Sequence, residues 1–216
     1  MKPFNLSLTP SVANHFIAEL RHTHIQTDSL RFRHNMERLG QLLAYEISKT
    51  LPYQPAEITT PLGVSKTMLL TQQPVLVAIL RASLPFHSGF LNLFDRAPSA
   101  FIGAYRGKHK EDETFDIAMD YIASPSLADR ILLLADPMLA TGKSIVKTYQ
   151  ALLKYGQPSR VIVASAIGAP EGVAYLSEQI PDAELFIGAI DDYLNHKFYI
   201  VPGLGDAGDL AYGGKM

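Results

Sequence analysis

Length, composition and charge limit the classes of protein to which this chain can belong. It has 216 residues and a formal net charge of −2, a size that favours one domain with one substantial core. Hydrophobic residues make up 47% and charged residues 19%, which excludes a largely disordered chain. No long basic block is present to neutralise a nucleic-acid backbone, and the absence of cysteine excludes disulfides, cysteine zinc sites and thiol nucleophiles.

The apolar segments are short. The opening stretch "MKPFNLSLTP" has one lysine and no unbroken apolar run, so it does not have the pattern of a signal peptide. The runs at 75–80 and 131–135 are far shorter than the roughly 20 residues of a membrane-spanning helix. Together with the cysteine-free composition, which fits a reducing compartment, these features predict a soluble, cytoplasmic protein.

The segment from about 11 to 51 is predicted to be helical. It is rich in helix-forming residues, and Leu39, Leu42, Leu43 and Ile47 recur at helical spacing. The stretches "PYQP" and "TPLG" that follow are marked as turns by proline and glycine.

Five apolar runs then predict buried strands, at 74–81, 99–106, 129–136, 160–168 and 184–191. Helical patterns at 143–156 and 171–180 follow two of them, with Gly156 placed as a helix C-terminal cap and Pro170 in a first helical turn. Strand and helix in alternation predict an α/β fold with a doubly wound parallel sheet and flanking helices. The polar stretch 106–129 is poorly periodic and is predicted to be a long loop, with the composition of a lid.

Ligands of such sheets bind at the carboxyl ends of the strands. The residues that end the apolar runs are therefore candidates for function: Arg81, Arg106, Asp136 and Gly168.

The stretch "LLLADPMLATGKS" (132–144) ends like a nucleotide-binding P-loop. That motif needs a glycine five positions before the glycine of its Gly-Lys pair, because the backbone turns sharply around the phosphates. Pro137 occupies the position, where it fixes φ and removes an amide hydrogen. A P-loop nucleotidase is therefore a poor interpretation.

A different anion site fits the same stretch better. The amides of Ala140 to Ser144, with the hydroxyls of Thr141 and Ser144, would converge on an anion at a helix start. Asp136 cannot hold a phosphate, but it can accept hydrogen bonds from vicinal hydroxyls. An acid beside an anion cradle indicates a ribose 5-phosphate, and the alternative is an aspartate that caps a helix and binds nothing.

At this point the chain resembles the uracil phosphoribosyltransferases. The motifs that carry the resemblance run in family order from about Ala78 to Gly213: "AILRASLP", "GAYR", "DPMLATGKS", "GAPEG" and "YIVPGLGDAGD". The N-terminal "ELRH" and "RFRHNMERLGQLLAYE" are similar to the opening helices of the family. The resemblance implies one phosphoribosyltransferase-like domain over 1–216, with N-terminal helices and a small base-binding hood at about 190–216, here called the base-binding segment.

The resemblance also implies an activity: uracil and 5-phosphoribosyl 1-pyrophosphate (PRPP) give UMP and pyrophosphate, a pentosyl transfer of pyrimidine salvage. It implies Mg²⁺ held mostly by substrate phosphates, with Asp206 as an indirect ligand, and a homo-oligomer. GTP activates parts of the family, and no residue here decides for or against that effector.

By the same resemblance the catalytic residues are Arg81, Arg106 and Asp206. The PRPP-binding residues are Arg81, Arg106, Asp136, Pro137, Met138, Leu139, Ala140, Thr141, Gly142, Lys143, Ser144 and Asp206. The uracil-binding residues are Tyr199, Ile200, Gly205, Asp206 and Ala207.

Some features depart from the family pattern or have a second interpretation. Lys143 stands where the family usually has glycine, Leu210 replaces a residue that is usually basic, and the segment after Arg106 is a few residues longer. Arg81 has the alternative of pairing with a structural carboxylate, and Tyr199 that of a packed aromatic. The alternative for the whole chain is a regulatory protein of this fold that binds nucleotide or PRPP without turnover.

Overall fold

The structure is a computed structural model that describes the backbone of residues 2–109 and 115–214, with their side chains except at 104–120. The strands are β1 (Phe4–Asn5), β2 (Tyr53–Thr60), β3 (Gly63–Leu70), β4 (Val75–Leu80), β5 (Ser99–His109), β6 (Phe115–Ala123), β7 (Ile131–Ala135), β8 (Met138–Leu139), β9 (Arg160–Gly168), β10 (Glu184–Ile190), β11 (Tyr193–Leu194) and β12 (Ile200–Val201). The helices are α1 (Val12–Arg21), α2 (Ser29–Ser48), α3 (Leu84–Leu91), α4 (Lys143–Leu152), α5 (Pro170–Gln179) and α6 (Ala207–Tyr212).

The central sheet has the order β1-β10-β9-β7-β4-β5-β6, with β8 paired to β9. Its pairs are parallel except that between β5 and β6, which is antiparallel. From β4 the chain moves to β5 on one side and later returns to β7 on the other, so the strand order reverses between β4 and β7. This confirms the predicted α/β fold and places its switch point, where such sheets bind ligands, between two buried strands.

Alternate residues of the central strands pack into two cores, one on each face of the sheet. On β7, Leu133 joins the core formed with α2 and α3, whereas Leu132 and Leu134 join the core formed with α4 and α5. Because a strand points successive side chains to opposite faces, a strand covered by helices on both sides must be apolar throughout. This is why the runs of the sequence are unbroken rather than alternating.

The N-terminal helices are fixed by their caps and by one apolar face. Ser11 caps α1 in a capping box with Asn14, and the Asp28 carboxylate caps α2 by accepting from the amides of Leu30 and Arg31. Helix α2 buries a face at helical spacing against α3, β9 and β10. No helix within the described ranges has both the length and the apolar character needed to cross a membrane.

The prediction of a long loop over 106–129 is wrong for residues 106–109 and 115–123, which form strands, whereas residues 124–129 do lie outside helices and strands. Strand β5 continues to His109, and β6 returns antiparallel to it over Phe115–Ala123. The letters "FDIAMDYI" alternate apolar residues with polar or small ones, which is the period-two pattern of a strand. The stretch as a whole is polar because of the charged residues in "GKHKEDE", and its average polarity therefore does not reveal this pattern. Residues 110–114 lie outside the described part of the chain.

Strands β2 and β3 form a separate two-stranded hairpin. Its turn is the "TPLG" stretch, with Thr60 opposite Gly63. Most of its residues are exposed on both faces, so the sequence carries no buried stripe that would predict strands there.

Candidate active site

Two of the residues that end apolar runs emerge side by side at the switch point. Strands β4 and β7 are paired in parallel with Ala78 opposite Ala135. Arg81 therefore leaves the carboxyl end of β4 next to the place where Asp136 leaves β7. The peptide bond between Leu80 and Arg81 is cis.

The loop after Asp136 runs along the end of β9. The Asp136 amide donates to the Ala164 carbonyl (3.0 Å), and the amides of Ala166 and Ile167 both donate to the carbonyl of Pro137 (3.1 Å each). The side chains of Pro137 and Leu139 are buried, so these two predicted PRPP-binding residues present only backbone to the site. Four further residues of the stretch are partly exposed, Met138, Ala140, Thr141 and Ser144, and Lys143 is exposed, whereas Gly142 is buried.

Helix α4 begins without a side-chain cap. Its N-cap is Gly142, with φ +75°, which has no side chain to accept a capping hydrogen bond, and the Thr141 hydroxyl accepts from the Lys143 amide at the long distance of 3.4 Å. Lys143 is the first helical residue, so the left-handed conformation falls on the glycine and not on the lysine that replaces the family's usual glycine. Asp136 does not cap the helix: its Oδ1 accepts from the Met138 amide at 3.3 Å. The interpretation of Asp136 as a simple helix cap is therefore wrong.

A close approach of α5 shapes the same loop. A methyl group on Gly172 would lie 2.2 Å from the Ala140 carbonyl oxygen and 2.8 Å from that of Leu139. A methyl group on Gly142 would lie 3.1 Å from the carbonyl oxygen of Gly172. The backbone of the loop is thus pressed against the start of α5, and glycine is required on both sides of the contact.

The surroundings of Asp136 disfavour its charge. The residue is partly buried at the mouth of the sheet, and burial raises the pKa of its carboxyl to about 7, although the hydrogen bond from the Met138 amide acts to lower it. A carboxyl with its pKa in this range is a typical feature of functional sites. A polyhydroxyl ligand that donates to Asp136 would favour the ionised form.

Helix α6 lies on the Arg81 loop. Arg81 Nη2 is 3.3 Å from Asp209 Oδ1 and 3.4 Å from the Gly213 carbonyl oxygen. A methyl group on Gly208 would lie 3.2 Å from Asp206 Oδ1 and 4.0 Å from Arg81 Nη2. The structure thus brings Arg81 and the Asp206 turn together, although they are 125 positions apart in the sequence.

Asp206 caps α6 with one of its two carboxylate oxygens. Oδ1 accepts from the amides of Gly208 (2.9 Å) and Asp209 (3.0 Å), and the side chain is exposed. Within the described part of the chain no hydrogen-bond donor lies on Oδ2. The aspartate thereby fixes the start of the helix and leaves its second oxygen available to a ligand.

The predicted uracil-binding residues lie on and around the turn between β12 and α6. Gly205 and Asp206 are on the turn itself, Tyr199 and Ile200 stand at the start of β12, and Ala207 is the first residue of α6. Gly203 and Gly205 have positive φ (+62° and +94°), and Val201–Pro202 is a cis peptide bond. Ile200 is buried, so it offers the site its backbone and not its side chain. Tyr199 is 41% exposed, which contradicts its alternative of a packed aromatic.

The structure describes the backbone position of Arg106 but not its side chain. It lies on β5, three residues beyond Gly103, which pairs with Leu80 at the end of β4. Its backbone is thus on the strand next to the Arg81 loop, and the direction of its guanidinium lies outside the described residues.

Sequence reasoning missed the residues that hold the base-binding segment in place. Asp191 directly follows β10 and binds both Arg21 and the amide of Gly203. Its signal was available, because it ends the fifth apolar run as Asp136 ends the third. Gly172 was visible only as a letter of the "GAPEG" motif, since a close backbone approach leaves no pattern in the sequence.

Comparisons with known proteins agree with this geometry. A family model described as uracil phosphoribosyltransferase matches residues 8–214. A protein named uracil phosphoribosyltransferase from Porphyromonas gingivalis is 48% identical over 217 aligned positions that cover all of both chains. One with the same name from Thermococcus gammatolerans is 38% identical over 193 positions, covering 88% of this chain and 85% of its own.

Solved structures share the fold. The AQ2163 protein of Aquifex aeolicus superposes with a TM-score of 0.85 at 33% identity, covering 95% of this chain and 96% of its own. A hypoxanthine phosphoribosyltransferase of Staphylococcus aureus, 14% identical, superposes with a TM-score of 0.50 over 74% of each chain and shows the fold alone. The family match over most of the chain and the identities of 38–48% lead to one conclusion: the chain belongs to the uracil phosphoribosyltransferase family and is an enzyme of the pentosyltransferase class.

Proposed function

We propose that the switch-point edge of the sheet carries out the family reaction, in which N1 of uracil replaces pyrophosphate at C1′ of PRPP and loses its proton, giving UMP. The observation that carries the proposal is the meeting of three segments: Arg81 at the end of β4, Asp136 at the end of neighbouring β7, and the Asp206 turn resting on Arg81. This transfer requires groups that bind the 5′-phosphate and the pyrophosphate of PRPP, and a surface that binds a planar base.

The 5′-phosphate and the ribose go to the loop 136–144. The amides at the uncapped start of α4 and the Thr141 and Ser144 hydroxyls donate to the phosphate, and the helix dipole favours its charge. Asp136 accepts from the ribose hydroxyls. Lys143, exposed at the first position of α4, adds a cation at the rim of this cradle.

The pyrophosphate goes to Arg81, with Arg106 from the neighbouring strand. The guanidinium of Arg81 donates two parallel hydrogen bonds and stays charged, which suits a leaving group that gains negative charge as the bond to C1′ breaks. Its contact with Asp209 is long and half-exposed, so it gives way to a more highly charged partner at little cost.

Mg²⁺ fits the donors that are present. The described residues contain no cluster of three or more side chains that would enclose a metal ion. Asp206 nevertheless offers its second carboxylate oxygen beside Arg81, and Mg²⁺ is commonly bound by one or two carboxylates together with water and substrate phosphates. The ion would supply neutralising charge to the pyrophosphate oxygens, with Asp206 as its protein contact.

Uracil is read by the backbone of the base-binding segment at Ile200, Gly205, Asp206 and Ala207, beside Tyr199. Cytosine carries an amino group in place of O4, which would set a donor against a donor and leave buried groups unpaired. Backbone recognition therefore gives selectivity without any selective side chain.

The test is a product assay with purified protein, PRPP and Mg²⁺ across uracil, cytosine, hypoxanthine and adenine, beside a reference enzyme. UMP from uracil, with at most traces from the other bases, is the expected result. Tight PRPP binding by calorimetry with no nucleotide product would favour the non-catalytic regulatory protein instead. The P-loop alternative has little support, since Pro137 is buried where the phosphate cradle would need an amide hydrogen.

We further propose a homo-oligomer, supported by the β2–β3 hairpin. A two-stranded hairpin alone is marginally stable in water, and this one exposes apolar side chains at Ile58, Leu62, Val64, Met68 and Leu69. A second copy would cover them. Light scattering on the wild type and on the double variant Leu62→Asp/Val64→Lys would detect the loss of assembly.

Two further expectations stay predictions. Adding GTP to the product assay would test whether GTP is an activator of this enzyme. The cytoplasmic location is predicted from the composition alone.

A further inference from the structure

Arg21 and Asp191 enclose one residue of the base-binding segment with hydrogen bonds. The carboxylate of Asp191 accepts from Arg21 Nη1 (2.7 Å) and lies against Arg21 Nη2 as well. Oδ2 of Asp191 also accepts from the Gly203 amide (2.8 Å), and Arg21 Nη1 donates to the Gly203 carbonyl (3.1 Å). Both polar backbone groups of Gly203 are thus held by one ion pair.

The ion pair is tied to rigid parts of the fold. Asp191 is 8% exposed and its amide donates to the Gly168 carbonyl at the end of β9 (2.8 Å). Arg21 is the last residue of α1, whose Leu20 and Ile17 are buried in the core. The loop between β12 and α6 is therefore held between the sheet and the first helix.

A displacement of Gly203 would also move the residues that follow it in the turn. The φ of this residue is +62°, and a methyl group there would lie 2.1 Å from the Ile200 carbonyl oxygen, so the chain folds tightly back on itself. Two residues later comes Gly205, followed by Asp206. Moving the turn would shift the peptide groups that face the base.

A second tether holds the far end of the segment. Arg33 on α2 donates to the Ala211 carbonyl (2.7 Å), and its guanidinium lies 5.9 Å from the centre of the Tyr212 ring. The N-terminal helices thus hold the chain on both sides of the exposed Gly205 and Asp206, at Gly203 and at Ala211.

We propose that Arg21 and Asp191 are positioning residues that fix the base-reading backbone, so that affinity and selectivity for the pyrimidine depend on a side chain of the first helix. The inference rests on the proposed function, because it takes uracil to be read by the backbone around Gly205. Neither residue touches the substrate in this scheme. Their effect is transmitted through Gly203.

The test separates positioning from stability by comparing the two substrates. Arg21→Gln removes the positive charge and the planar fork of the guanidinium. We expect the KM for uracil to rise about tenfold, because this corresponds to the loss of one or two hydrogen bonds to the base. The KM for PRPP should change less than about twofold. The uracil-to-cytosine ratio of kcat/KM should fall. Arg21→Lys keeps the positive charge but not the planar fork, and it should recover part of the loss.

Arg160→Gln is the matched control. Arg160 makes a forked pair with Glu184 (2.6 and 2.8 Å) and donates to the Thr50 carbonyl. Arg160 begins β9 and Glu184 begins β10, so the pair lies at the amino ends of the strands, away from the proposed active site. Arg160→Gln should lower the thermal midpoint without separating the two KM values. If Arg21→Gln does not fold, Arg21→Lys and Asp191→Asn are judged by the same criterion.

Equal changes in both KM values, or lower stability with both unchanged, would overturn the inference. A wild-type protein that forms no UMP would overturn the proposed function and the inference together, and that result appears before any variant is compared.

Discussion

Arg81 Nη2 lies 3.3 Å from Asp209 Oδ1, so the arginine at the end of the central strand β4 rests on the helix that follows the base-reading turn. The two side chains are 40% and 42% exposed. An ion pair of this kind contributes about 0–1 kcal/mol to stability, because solvent screens it. The contact is therefore too weak to be the main role of Arg81.

Arg81→Ala is expected to raise the KM for PRPP about 10- to 100-fold, because a charge-assisted fork to the leaving pyrophosphate is lost. The thermal midpoint should change by only a degree or two. Asp209→Asn is the informative companion, since it frees Arg81 from its protein partner and should leave PRPP binding equal or tighter. Steady-state kinetics and thermal unfolding of both variants decide the matter. Matching losses of stability in the two, with normal kinetics, would mean that Arg81 serves only its carboxylate partner.

Asp206 caps α6, and in the proposed function it also faces the metal ion and the pyrophosphate; two substitutions separate these roles. Asparagine caps a helix about as well as aspartate, so Asp206→Asn should keep α6 and the thermal midpoint. It loses the charge that faces Mg²⁺ and the pyrophosphate, and kcat should fall at least about tenfold. Asp206→Ala should add a loss of about 1 kcal/mol in stability from the missing cap. An Asp206→Asn enzyme with wild-type kcat would remove this residue from the catalytic group.

The central sheet and its ligand edge are predictable from the sequence because strands covered on both faces must be unbroken apolar runs, as in β4 and β7. The same rule cannot find β2 and β3, whose residues are exposed on both faces, and polarity hid the alternating pattern of β6. Arg81 and Asp136 are predicted as site residues because each ends such a run, and the structure places them at the ends of two paired strands. The contact of Arg21 with Asp191 spans 170 positions and depends on where α1 packs, which no local pattern specifies.

The raised pKa of Asp136 makes a prediction about stability and pH. Burial raises its pKa from 3.8 to about 7 in the folded chain, so between those values the folded state binds more protons than the unfolded state. The contribution of Asp136 to the free energy of unfolding must therefore fall as pH rises from about 4 to about 7, and it is fully present only below that window. Asp136→Asn should flatten this part of the stability profile. Urea unfolding of both proteins at a series of pH values measures it.

The same carboxyl links PRPP binding to pH. A ribose that donates to Asp136 favours its ionised form, so the affinity of the wild type for PRPP should increase as pH rises towards and past about 7. PRPP itself changes charge in this range. Asp136→Asn is the control, because the charge of PRPP changes equally for both proteins and only the wild type carries the carboxyl. If the two proteins show parallel pH profiles in calorimetric titrations, Asp136 does not accept from the ribose.

The positive charge of Lys143 interacts unfavourably with the dipole of helix α4. Lys143 is the first residue of α4, where the helix dipole disfavours a cation by about 0.3–1 kcal/mol, and it is exposed without a described carboxylate partner. A cation in such a place is explained by an anion that binds beside it. Lys143→Gln should therefore leave the thermal midpoint unchanged or slightly higher and raise the KM for PRPP about 3- to 10-fold at low salt. The effect should shrink as salt rises, because the lysine is exposed to screening.

Lys154→Gln is the control for net charge. Lys154 lies in the turn beyond the other end of α4, with its ammonium 5.0 Å from the centre of the Tyr155 ring, so its loss changes the total charge by the same amount away from the cradle. Only the substitution at the helix start should affect the KM for PRPP. Equal KM values for both variants and the wild type at low salt would show that the lysine takes no part in holding the phosphate, and that the uncapped amides after Gly142 suffice.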